Sequence, residues 1–263
     1  MQHSALLNVM IAAARKAART LKRDFGEVEN LQVSLKGPGN FVTAADRKAE
    51  ETLKAELAKA RPGYGFLGEE SGRHAGTDTT HTWIVDPLDG TTNFLHGIPQ
   101  FAISIGLERS GTIVAGVIYN PITDELFVAE RGKGAFLNDK RLRVAARKRL
   151  ADSVIACGLP HLGRGDLDLG LRELSAIQAK VAGLRRFGAA ALDMAFVAAG
   201  RLDGYWERNI SPWDIAAGII ILREAGGFVT DIDGADAMFT KKHVVAGNET
   251  IQRELQTLLK AAS

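Results

Sequence analysis

Apolar side chains near the start of the chain recur every three or four residues between Leu6 and Leu21. Basic side chains such as Arg15 fall between them, so the spacing predicts an amphipathic opening helix. A second helix is predicted over residues 44–60, because Thr43 is a good N-cap and the helix would end before Pro62-Gly63. The Gly-Pro-Gly sequence within residues 35–40 predicts a loop between the two helices.

After residue 82 the pattern changes to short apolar runs separated by turn residues, which is typical of β-strands. Strands are predicted at 83–85, 101–107, 112–119 and 125–130. The short connections between them favour an antiparallel meander.

A third pattern begins after residue 149, where strands and helices alternate. Strands are predicted at 153–156, 227–231 and 243–246, and helices near 167–182, at 189–199, at 213–225 and from about 249. We therefore expect two tightly joined halves in one compact unit. Residues 1–145 would form an α+β half with two helices and an antiparallel sheet, and residues 146–263 an α/β half.

Composition narrows the class of protein. The chain has 263 residues, 46% of them hydrophobic and 24% charged, with a formal net charge of +2. That balance does not by itself indicate a nucleic-acid or membrane partner. Cys157 is the single cysteine, so no intramolecular disulfide forms. No apolar run approaches the roughly 20 residues of a membrane span, and no secretory leader is recognised, so we expect a cytoplasmic protein.

Acidic residues follow apolar runs at several points of the chain. Asp86 and Asp89 stand three residues apart around Pro87, Glu69 follows a short apolar run, and Asp214 opens an apolar helix. Each acid alone is also typical of a turn or a helix cap. A cluster is different, because two carboxylates about 4 Å apart repel by roughly 4 kcal/mol at an effective dielectric of 20. Cations would relieve that repulsion, and oxygen ligands favour Mg²⁺ or Mn²⁺ over zinc.

The segment from Gly90 to Asn93 comes directly after these acids and has the features of an anion site. Its backbone N–H groups would hold a phosphate beside the cations. Metal ions next to a phosphate indicate phosphoester hydrolysis, with Glu69 and Thr91 orienting the attacking water. The chain has no G-x-S-x-G, P-loop or C-x-x-C motif, so no covalent intermediate is expected.

Three motifs occur in a familiar order: Gly68-Glu69-Glu70-Ser71, Asp86-Pro87-Leu88-Asp89-Gly90-Thr91-Thr92-Asn93 and Trp213-Asp214-x-Ala216-Ala217-Gly218. In these motifs the chain resembles the inositol monophosphatase family over nearly its whole length. The resemblance implies a layered αβαβα sandwich of the inositol monophosphatase and sugar phosphatase type. It also implies a phosphoric monoester hydrolase that is metal-dependent, lithium-sensitive and homodimeric.

By this resemblance, most metal ligands lie in the first half of the chain. Glu69, Asp86 and the Leu88 carbonyl would bind a first Mg²⁺ and Asp86, Asp89 and Asp214 a second, with a third, weaker ion near Glu69. Thr91 and Asp46 would help to activate the water. The residues implied to contact substrate are Leu88, Asp89, Gly90, Thr91, Glu207 and Asp214. Lys36 falls where the family places a loop lysine near the metals, although a solvated lysine fits that position equally well.

The resemblance implies a small phosphorylated polyol as substrate, and myo-inositol 1-phosphate is our first hypothesis. The same chemistry on histidinol phosphate or on a nucleotide 3′-phosphate remains open. Ala189 bears on this choice, because many family members carry serine or threonine directly after the glycine at 188. Asp193, in an alanine-rich helix, is interpreted as the structural partner of an arginine rather than as a metal ligand.

Residues 140–149 include six basic side chains. They suggest contact with RNA or RNA polymerase, and the family includes bacterial members with a role in RNA synthesis. The favoured interpretation is an edge strand protected by its charges, because Leu142 and Val144 alternate with Arg141 and Arg143. A regulatory role through binding to RNA or to the transcription apparatus is therefore the alternative function from a different class.

Overall fold

The computed structural model describes residues 3–25, 33–37, 40–161 and 165–263, and the side chains of 33–37 and 40–43 lie outside that description. The helices are α1 (Ala5–Phe25), α2 (Ala44–Ala60), α3 (Thr91–Leu95), α4 (Leu167–Gln178), α5 (Ala190–Ala198), α6 (Pro212–Glu224), α7 (Met238–Lys241) and α8 (Glu249–Ala262). None of the helices in these ranges is long and apolar enough to cross a membrane.

The strands form a large sheet, a smaller sheet and a hairpin. Strands of the first half are β1 (Val33–Gly37), β2 (Asn40–Thr43), β3 (Tyr64–Gly68), β4 (Gly72–His74), β5 (Asp78–Asp89), β6 (Ala102–Arg109), β7 (Thr112–Asn120), β8 (Glu125–Glu130), β9 (Gly134–Leu137) and β10 (Lys140–Arg141). Those of the second half are β11 (Val154–Cys157), β12 (Gly183–Arg185), β13 (Gly204–Arg208), β14 (Phe228–Thr230) and β15 (His243–Gly247).

Helices and sheets alternate in five layers, so the expected αβαβα sandwich is confirmed. Helices α1 and α2 pack on one face of the large sheet, and α5 and α6 fill the space between the two sheets. Helices α4 and α8 pack together, with α8 covering the outer face of the small sheet. One buried apolar cluster lies between the large sheet and α1 and α2, a second surrounds α5 and α6 between the two sheets, and a third lies between the small sheet and α4 and α8. Burying one Leu or Ile side chain contributes about 1.5–3 kcal/mol, so these layers supply most of the driving force for folding.

The large sheet has the strand order β10-β9-β8-β7-β6-β5-β3-β4. Its strands from β5 to β10 pair antiparallel, as the meander prediction requires. Strand β3 was not predicted, and it pairs parallel with β5. The sheet is therefore mixed. The difference matters for function, because parallel neighbours end at the same edge of a sheet.

The small sheet has the order β12-β11-β13-β15-β14 and combines parallel and antiparallel pairs. The predicted helices and strands of this half are all present, with bounds that differ by a few residues. The loop predicted over residues 35–40 is wrong, because Val33–Gly37 and Asn40–Thr43 pair as an antiparallel hairpin.

Helix α6 crosses from the second half onto the large sheet. A Cβ atom on Gly106 of β6 would lie 2.7 Å from the Cβ of Ala216, and one on Gly116 of β7 would lie 2.7 Å from the Ala217 carbonyl oxygen. Glycine at these two strand positions therefore lets the helix backbone approach closely. The two halves are packed into each other, and the start of α6 reaches the edge of the large sheet.

Candidate active site

A cavity of about 340 Å³ opens at the edge of the large sheet where β3 and β5 end. Both halves of the chain supply its walls. The acidic residues that line it are Glu69, Asp86, Asp89, Asp193, Glu207 and Asp214. The arginines that line it are Arg186 and Arg208. The cavity is therefore strongly acidic.

The parallel pairing of β3 with β5 places Glu69 beside Asp86. Gly68, the last residue of β3, pairs with Val85 of β5, and the N–H of Glu69 donates to the Val85 carbonyl oxygen at 3.2 Å. Asp86 comes next in β5 and is 2% exposed. The two acidic motifs, which stand 17 positions apart in the sequence, thus meet at the same edge.

The third acidic motif arrives through helix α6. The hydroxyl of Ser104 donates to the Trp213 carbonyl oxygen at 3.3 Å, and Ser104 is the β6 partner of Asp86. This contact holds the start of α6 next to Asp86. Asp214 also caps its own helix, since its Oδ2 accepts the N–H of Ser211 at 2.7 Å. Asp214 therefore caps α6 and also lines the cavity.

Backbone N–H groups hold one oxygen of each of three acids. Leu88 donates to Asp86 Oδ1 at 2.9 Å, Ala191 to Asp89 Oδ2 at 2.7 Å and Ser211 to Asp214 Oδ2 at 2.7 Å. Hydrogen bonds of this kind fix the direction of a carboxylate. The acids therefore have defined positions at the cavity before any ligand binds.

Burial and mutual repulsion raise the pKa values of the central acids. The pKa of Asp86 lies well above its ordinary value because the carboxyl is buried and because Glu69, Asp89 and Asp214 are close by. The pKa of Asp89 is raised in the same way, by burial and then by Asp214. A divalent cation bound among these carboxylates would offset their mutual repulsion.

The donor set fits magnesium. In the described part of the chain, no three His, Cys, Asp or Glu side chains already lie close enough to enclose a metal ion. The ligands available are carboxylate oxygens and the Leu88 carbonyl, which is the oxygen chemistry that Mg²⁺ prefers. Because Mg²⁺ keeps several waters, a wide arrangement of acids around a cavity suits it better than a closed cage.

Thr91 and Asp46 form a hydrogen-bonded pair beside the Leu88 carbonyl. The Thr91 hydroxyl lies 3.1 Å from Asp46 Oδ1 and 3.1 Å from the Leu88 oxygen, so it donates to either acceptor. Asp46 is fully buried in the first turn of α2 and does not line the cavity itself, whereas Thr91 does. Asp46 therefore acts behind Thr91.

Gly90 has a positive φ of 96°, which glycine adopts without strain. A Cβ atom there would also lie 2.9 Å from the Gln100 carbonyl oxygen. These two constraints explain why glycine follows Asp89. They leave the backbone of Gly90 and Thr91 at the cavity wall.

Glu207 lies at the end of β13, and the hydroxyl of Tyr205 donates to its Oε2. A Cβ atom at Gly158 would lie 1.9 Å from the Glu207 carboxyl carbon, so glycine at 158 makes room for this acid. Both residues line the cavity. Tyr205 thus orients the carboxyl group of Glu207, and the lack of a side chain at Gly158 leaves room for it.

The cavity brings together eight of the residues singled out from the sequence: Glu69, Asp86, Leu88, Asp89, Gly90, Thr91, Glu207 and Asp214. Asp46 contacts Thr91, and the side chain of Lys36 lies outside the described residues. Ala189 is 1% exposed and does not itself line the cavity, whereas Gly188 and Ala190 on either side of it do, so its bearing on the choice of alcohol stays a prediction. Ala189 is also the N-cap of α5, without a capping side chain.

Sequence reasoning missed Glu50, which positions the loop after β3. Its Oε2 accepts the N–H of Glu70 and its Oε1 that of Ser71, each at 2.8 Å. Glu50 is 3% exposed. A buried acid on the apolar side of α2 was the available signal, because such a residue needs hydrogen-bond partners.

Comparison with known proteins adds an independent result. A family model described as the inositol monophosphatase family matches residues 2–263. An inositol-1-monophosphatase of Mesorhizobium japonicum is 65% identical, with 99% of this chain and 98% of that protein covered. A protein of Pseudomonas aeruginosa named Nus factor SuhB is 41% identical over 97% of this chain and 95% of its own length. The crystal structure of the extragenic suppressor protein suhB from Bartonella henselae is 62% identical and has a TM-score of 0.95, with 98% and 99% of the two chains covered.

Proposed function

The chain belongs to the inositol monophosphatase family and is a phosphoric monoester hydrolase, and from this premise we propose that it hydrolyses myo-inositol 1-phosphate to inositol and phosphate in a Mg²⁺-dependent reaction. The observation that carries the proposal is the meeting of Glu69, Asp86, Asp89 and Asp214 at one cavity, with the Thr91–Asp46 pair at its wall.

The acids would hold two Mg²⁺ ions, and Mn²⁺ is the alternative with the same ligand chemistry. Glu69, Asp86 and the Leu88 carbonyl would bind the first ion, and Asp86, Asp89 and Asp214 the second. A third, weaker ion would bind near Glu69. Magnesium supplies positive charge that stabilises the phosphoryl group during hydrolysis and makes water more acidic.

Thr91 and Asp46 orient the attacking water. When the Thr91 hydroxyl donates a hydrogen bond to Asp46 Oδ1, the lone pairs of Oγ1 remain to accept a hydrogen bond from a water in the cavity. The carboxyl group of Asp46 is fully buried and is therefore shielded from bulk solvent. Glu69 also lines the cavity and would hold the water from a second direction.

The substrate is held at its phosphate and at its alcohol. The backbone N–H groups of Gly90 and Thr91 contact the phosphate oxygens. Glu207 accepts hydrogen bonds from the hydroxyl groups of the polyol, and Tyr205 keeps the carboxyl group in place. Cleavage of the P–O bond then transfers the phosphoryl group to water and releases the alcohol.

Phosphate release from a panel of monoesters tests this proposal. The panel contains inositol 1-phosphate, histidinol phosphate and adenosine 3′,5′-bisphosphate, each with Mg²⁺ and with an excess of chelator. We expect Mg²⁺-dependent turnover with the highest kcat/KM for inositol 1-phosphate. A higher value for another monoester would overturn the substrate, and turnover that survives the chelator would overturn the metal requirement.

Two further properties belong to the proposal through the family: inhibition by lithium and a homodimeric state. Adding Li⁺ to the Mg²⁺ assay should lower turnover. Sedimentation of the chain should give about twice the mass of 28.2 kDa. Turnover that is insensitive to Li⁺, or a monomeric mass, would contradict the corresponding property.

Binding to RNA or to the transcription apparatus is the second candidate function, and the basic segment 140–149 favours it. Lys140, Arg143 and Lys148 are exposed and form no ion pair within the described residues. Arg147 and Arg149 do form ion pairs, with Asp203 and Asp152.

The variant Arg143→Glu/Lys148→Glu tests this candidate without disturbing those ion pairs. Its binding to a labelled RNA, measured by fluorescence anisotropy at low and raised salt, should be weaker than that of the unmodified chain. Phosphatase activity should not change. Equal binding by both proteins would reject the candidate.

A further inference from the structure

Asp193 lines the cavity and has no role in the metal site or in the phosphate site described above. It belongs to the first turn of α5, three residues after Ala190, so the two residues lie on the same face of the helix. Both line the cavity. The N–H of Ala191 is bound to Asp89, which fixes the start of α5 against the large sheet. Asp193 is therefore held in place by the same contact that connects α5 to the acidic cluster.

The carboxyl group of Asp193 is buried, and one of its two oxygens has no hydrogen-bond partner within the described residues. The residue is 1% exposed, and its Oδ1 accepts no hydrogen bond. Arg186 lines the same cavity, but no ion pair of 4.0 Å or less joins it to Asp193 within the described residues. The interpretation of Asp193 as the structural partner of an arginine is thus not supported by the contacts.

Burying an unsatisfied carboxyl group costs stability, and a functional role at a site is one of the explanations for such a group in a native protein. Burial raises the pKa of Asp193, and so do the charges of Glu207 and Asp89 close to it. Asp193 lines the same cavity as Glu207, the acid that would bind polyol hydroxyls, and Asp89, an acid of the proposed metal site.

In the part of the cavity near Glu207, where the alcohol would bind, acidic side chains outnumber free basic ones. Asp193 and Glu207 supply two carboxyl groups. Arg186 is a single guanidinium, and Arg208 is already bound to Glu173, which is 2% exposed. A second phosphate on the alcohol would therefore meet carboxyl groups with too little positive charge to compensate. Hydroxyl groups of the alcohol would bind well here, because each donates a hydrogen bond that a carboxyl oxygen accepts.

We propose that Asp193 is a specificity-determining residue, whose carboxyl group binds hydroxyl groups of the alcohol and excludes alcohols that carry a second phosphate. The inference rests on the proposed function and deepens it by naming the substrate class as monophosphates of uncharged polyols. Glu207 and Asp193 would bind different hydroxyl groups of the same ring.

The variant Asp193→Asn keeps the shape of the side chain and replaces the ionisable carboxyl group with a neutral amide. We expect its kcat/KM for inositol 1-phosphate to fall by at least about tenfold, which is the range for losing a hydrogen bond to a charged group. For phenyl phosphate, which has no hydroxyl group, kcat/KM should stay within about threefold. The ratio of kcat/KM for fructose 1,6-bisphosphate to that for inositol 1-phosphate should rise by at least about tenfold.

A merely structural role for Asp193 gives different results. The variant would then unfold at a lower temperature, and all three substrates would lose kcat/KM by the same factor. Under our inference the melting temperature stays the same or rises, because an unsatisfied buried carboxyl group has been removed. Asp193→Ala serves as the second variant, with the same expected change in the substrate ratios.

Asp231→Asn is the matched control. Asp231 is fully buried, and its Oδ2 lacks a hydrogen-bond partner, as the Oδ1 of Asp193 does, but Asp231 does not line the cavity. Its substrate ratios should equal those of the unmodified chain. Unchanged ratios in the folded Asp193 variants would overturn the inference and leave the proposed function standing. A chain that hydrolyses none of the substrates would overturn both.

Discussion

The backbone N–H of Ala191 donates a hydrogen bond of 2.7 Å to Oδ2 of Asp89. Asp89 ends a strand of the large sheet, and Ala191 lies in the first turn of a helix from the other half of the chain. The carboxylate thus satisfies a free N–H at a helix start and meets its positive dipole end. One acid of the proposed metal site therefore also joins the two halves.

This double role makes Asp89→Asn informative. The Asn side-chain oxygen still accepts the Ala191 N–H, so the fold should be retained, whereas a negatively charged metal ligand is lost. We expect Mg²⁺-dependent phosphate release to fall by at least about 100-fold. Circular dichroism should remain that of the unmodified chain.

Glu254→Gln is the control for this variant, because Glu254 is an exposed acid of α8 away from the cavity. It should keep full activity. Full activity in Asp89→Asn as well would show that the assignment of this acid to the metal site is wrong.

Glu50→Gln tests how the Glu69 loop is positioned. The carboxylate accepts two backbone N–H groups, whereas glutamine has a single acceptor oxygen. We expect the free energy of unfolding to fall by about 1–3 kcal/mol, and the Mg²⁺ concentration for half-maximal activity to rise, because Glu69 belongs to the same loop. Denaturant unfolding and Mg²⁺ titration measure the two effects. In Glu51→Gln, an exposed change on the same helix, neither quantity should move.

Ala189→Ser tests the role of the residue after Gly188. Ala189 has the extended backbone of an N-cap, with φ −145° and ψ 95°. A serine hydroxyl there would accept an N–H of the first turn and stabilise the chain by about 1 kcal/mol. Relative activities on the monoester panel should not change, since Ala189 is outside the cavity lining.

Ala55→Ser, the same change at an exposed position within α2, is the comparison for this gain in stability and should destabilise slightly. A changed substrate preference in Ala189→Ser would show that this position influences the choice of alcohol.

Arg147→Ala should separate structure from binding in the basic segment. Arg147 Nε lies 2.6 Å from Oδ1 of Asp203, a side chain with no exposed surface, while the arginine is 46% exposed. Removing it leaves a buried carboxylate with less compensation, so we expect a loss of about 1–3 kcal/mol in the free energy of unfolding. Lys148→Ala, in contrast, should change stability by less than about 0.5 kcal/mol. Equal effects of the two changes would show that the ion pair has no structural weight.

His243 gives the chain an acid-sensitive contact. Burial, with the positive charge of Arg208, holds the pKa of His243 below its ordinary value of 6.5, and its Nδ1 accepts the N–H of Ile232 at 3.0 Å. Protonation is easier in the unfolded chain, so this contribution to stability is complete above pH 6.5 and is lost as the pH falls through the folded-state pKa. The melting temperature of His243→Gln should therefore decline less than that of the unmodified chain between pH 7 and pH 5. Parallel curves for the two proteins would contradict this.

Local pattern determined much of this protein. The intervals between apolar residues predicted α1, the alternation of strands and turns predicted the meander, and the acidic motifs singled out Glu69, Asp86, Asp89 and Asp214 as candidate site residues. These features follow from the sequence because the helix and strand periods act over a few residues, and because acids after apolar runs are costly unless they have a use.

Only the tertiary structure decided which distant groups meet. The parallel pairing of β3 with β5, the contact of Ser104 with Trp213 and the support of the Glu69 loop by Glu50 each join positions far apart in the chain. The burial of Asp193, with one carboxyl oxygen unpaired, likewise results from the packing of the layers. Such contacts depend on how the layers pack, and a polar group buried by that packing has to find its partner across the fold. The pattern of residues in a single sequence therefore does not show which distant groups come into contact.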